Sequence, residues 1–269
     1  MTTRKPSVAG FFYPGNKKDL TKLIEGMIDP DCQKKKAICA VSPHAGLIYS
    51  GPVAGALFSS ISLPEKYVIL GLSHRNYHDD SALMRVGTWE TPMGEVPIDS
   101  DLADRILSRS SHIKDNPSSH SQEHSIEVQL PFIQYFKPGF SMVPISVSSV
   151  ASWEELKELG ESIANSIKED NEDVLIVAST DMSHYVSQKE AREKDFLAIE
   201  KVLNRDARGL IETVRTENIS MCGYQPTALA IFAANRLGAQ KAELIKYQTS
   251  GDVSGDYSEV VGYAGIRIC

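Results

Sequence analysis

Short apolar runs rich in β-branched residues lie at 37–42, 67–72 and 173–179, and further strands are predicted at 140–147, 242–249 and 259–267. The length and near-continuous hydrophobicity of the first three match strands buried on both faces. Between them lie segments with helical spacing: from Asn16 to Ile28, where Leu20, Leu23, Ile24, Met27 and Ile28 share one face, and at 100–109, 123–136, 152–168, 188–204 and 224–237. Gly51 to Ile61 is small and apolar, as suits a helix packed tightly on a sheet. Shorter strands are predicted at 81–86 and 96–98, around Trp89 to Gly94, where Pro92 and Gly94 mark a turn. Strands alternating with helices predict an α/β fold, a three-layer α/β/α sandwich whose central sheet is mostly parallel, with an antiparallel edge from the last strands. No repeat or low-complexity segment interrupts the pattern, so residues 1–269 are expected to form one domain.

Charge changes the picture by exclusion. With 28 Lys and Arg against 35 Asp and Glu, the net charge is −7, and the basic face a nucleic-acid partner needs is missing. The run Lys34-Lys35-Lys36 reads as a solvated loop. No stretch approaches the ~20 apolar residues of a membrane span, and Met1 to Gly10 lacks a signal-peptide core. Cys32, Cys39, Cys222 and Cys269 form no CxxC pair, which fits a reducing cytoplasm. Phosphate-loop, dinucleotide-binding and GxSxG signatures are absent.

Three of the predicted strands run directly into histidines: Pro43-His44-Ala45-Gly46, Leu70-Gly71-Leu72-Ser73-His74 and Ser179-Thr180-Asp181-Met182-Ser183-His184. Open α/β sheets place ligands at the carboxyl ends of their strands, so three imidazoles are expected at one sheet edge, as a metal or acid–base site requires. His120, His124 and Glu127 would share a face if a helix reached back to 120; otherwise His120 belongs to the entry loop and His124 looks into the site from a helix starting at Glu123. Asp181 next to His184 suits tautomer and pKa control of an acid–base imidazole, although Asp181 equally suits a helix cap. Cys222 in Met221-Cys222-Gly223 precedes a helix, where a thiol is expected to have a depressed pKa and to serve as metal thiolate or nucleophile. Each residue also has an ordinary reading, as a turn or surface histidine or an inert buried cysteine, and the other three cysteines are assigned to that fate or to the surface.

Together Pro43-His44-Ala45-Gly46, Leu70 to His74, Glu123 to Pro131, Ser179 to His184 and Met221-Cys222-Gly223 resemble the Memo family, from Ala9-Gly10-Phe11-Phe12-Tyr13 to Tyr263-Ala264-Gly265. The resemblance implies a fold similar to LigB-type class III extradiol dioxygenases, non-haem iron enzymes that open catechol rings. It assigns His44 and His74 to the two histidine ligands and Cys222 to the third ligand position. His124 and His184 become pocket histidines beside the metal, with Asp181 as their neighbour. A thiolate in place of the usual carboxylate is softer, and shifts preference toward copper(I), zinc or a differently tuned iron.

Three functions remain open from the sequence. In the first, His44, His74 and Cys222 hold iron(II) or copper in a redox enzyme, and His184 or His124 moves a proton on a small-molecule substrate. In the second, zinc-bound water makes the protein a hydrolase with His184 as the acid–base group. In the third, the pocket is a non-catalytic binding module for a peptide or protein. Memo relatives are associated with phosphorylated peptides and with a radical-SAM partner protein. An anion against His74, Arg75 and the loop Thr249 to Asp256 is one form of this reading, which the two loop aspartates disfavour. Apolar helix around Leu229, Ile231 and Phe232 leaves room for a homodimer.

Overall fold

Four central strands are apolar on both faces because both are covered. The computed structural model describes residues 2–74, 80–170 and 172–269. Alternate residues of β2 (Cys39–Ser42), β3 (Lys66–Leu72), β8 (Ser141–Val147) and β9 (Val174–Ser179) divide between two cores. Val41, Val68, Leu70, Ile145 and Ile176 point into one, and Ala40, Tyr67, Ile69, Met142 and Val177 into the other. These strands lie parallel in the order β2-β9-β3-β8.

On the first face pack α3 (Ser100–Leu107), α5 (Trp153–Lys168), α6 (Gln188–Leu203), α7 (Ala207–Thr216) and α8 (Tyr224–Arg236). On the second pack α1 (Lys17–Glu25), α2 (Leu47–Ser59) and α4 (Leu130–Phe136), together with a small sheet of β1 (Thr3–Arg4), β5 (Thr88–Thr91) and β6 (Gly94–Pro97). The fold is therefore α/β with helices on both faces of the central sheet.

That sheet is parallel only in its centre. The strand β12 (Val260–Ile268) runs antiparallel to β2, and also pairs antiparallel with β10 (His184–Val186) and β11 (Ala242–Thr249). At the opposite side β4 (Ser81–Leu83) is antiparallel to β8 and parallel to β7 (Ile113–Asp115). The carboxy-terminal strands are thus antiparallel as expected, but β12 lies inside the sheet rather than at its edge. A short helix, α9 (Gly251–Ser254), joins β11 to β12.

Two local expectations change. Helix does not extend over 123–136: a single 3-10 turn, Glu127–Gln129, precedes α4. The Glu123 carboxylate accepts the N–H groups of His124 and Ser125, which bends this segment into a turn, and Pro131 suits the first turn of the helix that follows. Trp89 is not in a turn but in β5, which forms a hairpin with β6 about Pro92 and Met93. No helix among the described residues is long and apolar enough to cross a membrane.

Candidate metal centre

The parallel strands β2, β9 and β3 bring their carboxyl ends to one edge, so the residues that follow them meet there. His44 follows β2, His74 follows β3, and the turn after β9 carries Asp181. Cys222 arrives from the start of α8, and the Cys222 Sγ lies 3.5 Å from His44 Nε2. One ligand atom each from His44, His74 and Cys222 can be chosen so that all lie within 4.8 Å of one another. With zinc–sulfur and zinc–nitrogen bonds of about 2.3 and 2.1 Å, two ligands of one tetrahedral ion are roughly 3.5 Å apart, so the His44–Cys222 pair fits a shared metal. His124 completes the cluster, stacked on the His74 ring at 4.6 Å and edge-on to His44 at 5.5 Å, with Phe12 edge-on behind it at 4.8 Å.

Hydrogen bonds fix which nitrogen of His44 is free. The Gln129 side-chain amide donates to Pro43 O at 2.9 Å and to Ser179 Oγ at 2.8 Å. Ser179 in turn donates its only proton to Ser125 O at 2.6 Å. The remaining contact of Ser179 Oγ, 2.9 Å from His44 Nδ1, must then be accepted by the hydroxyl from an Nδ1–H. Nε2 is left as a bare lone pair facing the sulfur. At His74, Nδ1 donates to Glu123 Oε1 at 2.9 Å, and the same carboxylate accepts the backbone N–H groups of His74, His124 and Ser125. Burial alone would raise the Glu123 carboxyl, but the bonds from His74 and Ser125 outweigh it and hold it well below the usual range. A carboxylate orienting an imidazole in this way is the ordinary support of a histidine metal ligand. His74, Glu123 and His124 form a second close group, yet the hydrogen bonds already drawn to Glu123 make its carboxylate a support rather than a ligand.

Burial also sets the charge of the pocket. It lowers His44 to about 3, assisted by His74, and His124 to about 4, assisted by His44, so both imidazoles are neutral near pH 7. The Cys222 thiol is pushed up to about 12, first by burial and then by the Asp181 carboxylate. The depressed thiol expected from its place before a helix is therefore not found. Desolvation and a neighbouring negative charge exceed the field of the α8 amino terminus. Asp181 N–H, at 3.3 Å from the sulfur, points the other way and favours the thiolate.

Asp181 neither caps a helix nor hydrogen-bonds to His184. No helix follows it; β10 does, and Asp181 Oδ1 accepts the His44 backbone N–H at 2.8 Å, with Oδ2 3.9 Å from His44 Nε2. Burial raises the Asp181 carboxyl. The His184 imidazole instead donates from Nδ1 to Ser220 O at 2.9 Å, and its backbone N–H to Ser220 Oγ at 2.7 Å. That bond leaves the Nε2 lone pair of His184 uncommitted, and the imidazole is near enough to interact electrostatically with both His44 and Asp181. Beside it, Tyr185 adopts left-handed backbone (φ 56°) at a register shift of β10, and the residue is 75% exposed.

Other candidates lie elsewhere. His120 is fully buried against Trp89 and shares no helical face with His124 and Glu127. Cys39 is in the core, and Cys32 and Cys269 are free and half-buried. Arg75, invoked for an anion site, lies outside the described residues; in the loop 249–256, Asp252 and Asp256 accept N–H groups of Thr249 and Ser258. Sequence reasoning missed Glu123, Gln129, Ser179 and Ser220, which orient the imidazoles without touching the pocket centre. Their only signal was adjacency to the histidine motifs.

The sequence matches the Memo-like protein family over residues 4–267. This chain belongs to the Memo family. A MEMO1 family protein of Methanopyrus kandleri is 40% identical over 277 residues, covering 98% of both chains. Others from Methanosarcina acetivorans and Aquifex aeolicus are 39% and 41% identical, over 100% and 99% of this Memo chain and the same shares of their own. In fold, this Memo chain is similar to the crystal structure of an uncharacterized protein from Escherichia coli K12, with a TM-score of 0.52 at 12% identity over 86% of this chain and 100% of that one.

Proposed function

We propose that this Memo-family protein is a metal-dependent redox enzyme whose ion, iron(II) or copper, is held by His44, His74 and Cys222. The observation that carries the reading is the pair of committed tautomers: Nδ1–H of His44 goes to Ser179 and that of His74 to Glu123, which leaves each Nε2 lone pair for an ion. Two imidazoles and one thiolate leave coordination positions open, and the bound ion would supply Lewis acidity and electron transfer there. His184, with Nδ1–H on Ser220 O and Nε2 free, accepts or returns a substrate proton. His124, neutral and half-buried against His74, lines the same pocket and can accept a hydrogen bond or a proton. Asp181 holds the His44 backbone and places a carboxylate beside the thiol.

Elemental analysis of untagged protein purified anaerobically without chelators, with spectra before and after oxygen, tests the reading. Near-stoichiometric iron or copper that is lost in Cys222→Ser supports it. Stoichiometric zinc with oxygen-independent turnover would transfer the same residues to a hydrolase, and no metal after reconstitution would leave a binding module. Once turnover is assayed, His184→Ala is expected to lower the rate by roughly 10²-fold or more with metal content unchanged. A near-normal rate in that variant would remove His184 from proton transfer.

A further inference from the structure

The turn that carries Glu123 and His124 belongs to no strand or helix, so something else must hold it in place. Beside Ser179, which donates to Ser125 O, its backbone is fastened by a buried guanidinium from the amino-terminal strand. Arg4, in β1 and 6% exposed, donates from Nε to His120 O at 2.8 Å and from Nη2 to Glu123 O at 2.6 Å. Its Nη1 pairs with Glu127 Oε2 at 2.5 Å, and the planar group lies 4.1 Å above the Trp89 ring. Glu127 is fully buried and gathers the rest of the amino-terminal segment: its carboxylate accepts Ser7 N–H at 2.7 Å, Val8 N–H at 3.1 Å and the Tyr13 hydroxyl. The same segment then reaches the pocket itself. Phe12 stands edge-on to His124, and Phe12 O accepts the Leu47 N–H at 2.8 Å, at the start of the helix that follows His44.

We propose that Arg4 and Glu127 are positioning residues of the metal centre, fixing the Glu123 carboxylate and through it the His74 imidazole. This rests on the metal-centre reading above. The physical argument concerns geometry more than stability. A buried ion pair gains little over well-packed apolar residues, whereas a planar fork with its donors in fixed directions holds two carbonyls and a carboxylate in one arrangement. Glu123 is held at both ends: its carbonyl by Arg4, its carboxylate by His74 and three backbone N–H groups. With the carbonyl released, Glu123 loses one of its two anchors, and the turn can shift the carboxylate relative to the His74 imidazole. Loss of such support typically costs 10- to 100-fold in metal affinity.

The test is zinc(II) affinity, measured by competition with a chromophoric chelator well below the unfolding temperature, on the full-length protein. Arg4→Met is expected to weaken zinc binding about 10- to 100-fold, and Arg4→Lys to recover part of the loss, because a single ammonium cannot reach three acceptors at once. Leu20→Ala, on the buried face of α1 and making no hydrogen bond to the turn, serves as the control for stability alone. It is expected to lower Tm without changing zinc affinity. Wild-type affinity in folded Arg4→Met, with binding lost in Cys222→Ser, would overturn the positioning role and leave the metal centre standing. Equal losses in Leu20→Ala and Arg4→Met would also overturn it, since general destabilisation would then explain both. If Arg4→Met does not fold, Arg4→Lys decides alone: reduced affinity supports the role and wild-type affinity refutes it. Absence of zinc binding in the wild-type protein would remove the metal centre and this inference with it.

Discussion

At the proposed metal centre, Cys222→Ser and His44→Ala are each expected to lower the affinity for zinc(II) or iron(II) by about 100-fold or more, with different pH dependences. Removing one of the three proposed ligands would remove a metal bond outright, so the loss should exceed the 10- to 100-fold typical of supporting residues. The thiol, pushed up to about 12, is protonated at neutral pH and must give up its proton to bind an ion. His44, lowered to about 3, has no proton to release above pH 5 or so. Because the thiol is protonated below its pKa, metal and proton compete for it, and affinity rises with pH. The thiol contributes a slope of about tenfold per pH unit between pH 6 and 8. Cys222→Ser loses this contribution together with its affinity, whereas His44→Ala loses affinity and keeps the slope. Isothermal titration across that range distinguishes them, and an unchanged slope in Cys222→Ser would mean that the sulfur is not a ligand.

Gly223→Ala is expected to damage both the fold and the metal site, although it adds one methyl group. A β-carbon at Gly223 would stand 2.6 Å from the Ser179 carbonyl oxygen, 2.7 Å from Thr180 Cβ and 2.8 Å from Thr180 Oγ1. The turn after β9 cannot yield cheaply, because Thr180 Oγ1 accepts the Gly223 N–H at 2.9 Å and Ser179 holds the His44 tautomer. The start of α8 must move away, and it takes the adjacent Cys222 with it. Overpacking of this kind costs about 2–3 kcal/mol, a fall in Tm of roughly 4–10 °C. Metal affinity should fall with it, and chelator competition alongside thermal unfolding measures both. A variant with wild-type Tm and affinity would show that the close approach of Gly223 to the β9 turn is not needed.

The strands that deliver the pocket were legible because β2, β3, β8 and β9 are buried on both faces, so their apolar runs are uninterrupted. Helices α3, α5, α6 and α8 were legible from their amphipathic spacing or small apolar composition. The turn from Glu123 to Ile126 was not. Its periodicity is helical, and only a carboxylate bonded to its own neighbouring amides, with a guanidinium from residue 4, overrides that tendency. The strand β10 was missed for a similar reason: three residues, one in left-handed backbone, carry no strand pattern, and β12 supplies the pairing from far along the chain. Among the site residues, His44 and His74 follow the ends of their strands, and His124 and Cys222 come beside them from the turn after Glu123 and from the start of α8. The partners that set their tautomers escaped notice, since Ser179 and Gln129 act through hydrogen bonds that no spacing in one dimension reveals.

The candidate ligands at positions 44, 74 and 222 have a thermodynamic consequence. They share no local segment, so an unfolded chain offers no chelate and competes only feebly for an ion. An ion that binds the assembled pocket therefore acts as a ligand of the native state alone, and its whole concentration-dependent free energy is added to the stability of the fold. Metal supply would thus govern how much of this protein resists unfolding as well as how much of it is loaded, with each additional decade of free ion above saturation contributing about 1.4 kcal/mol.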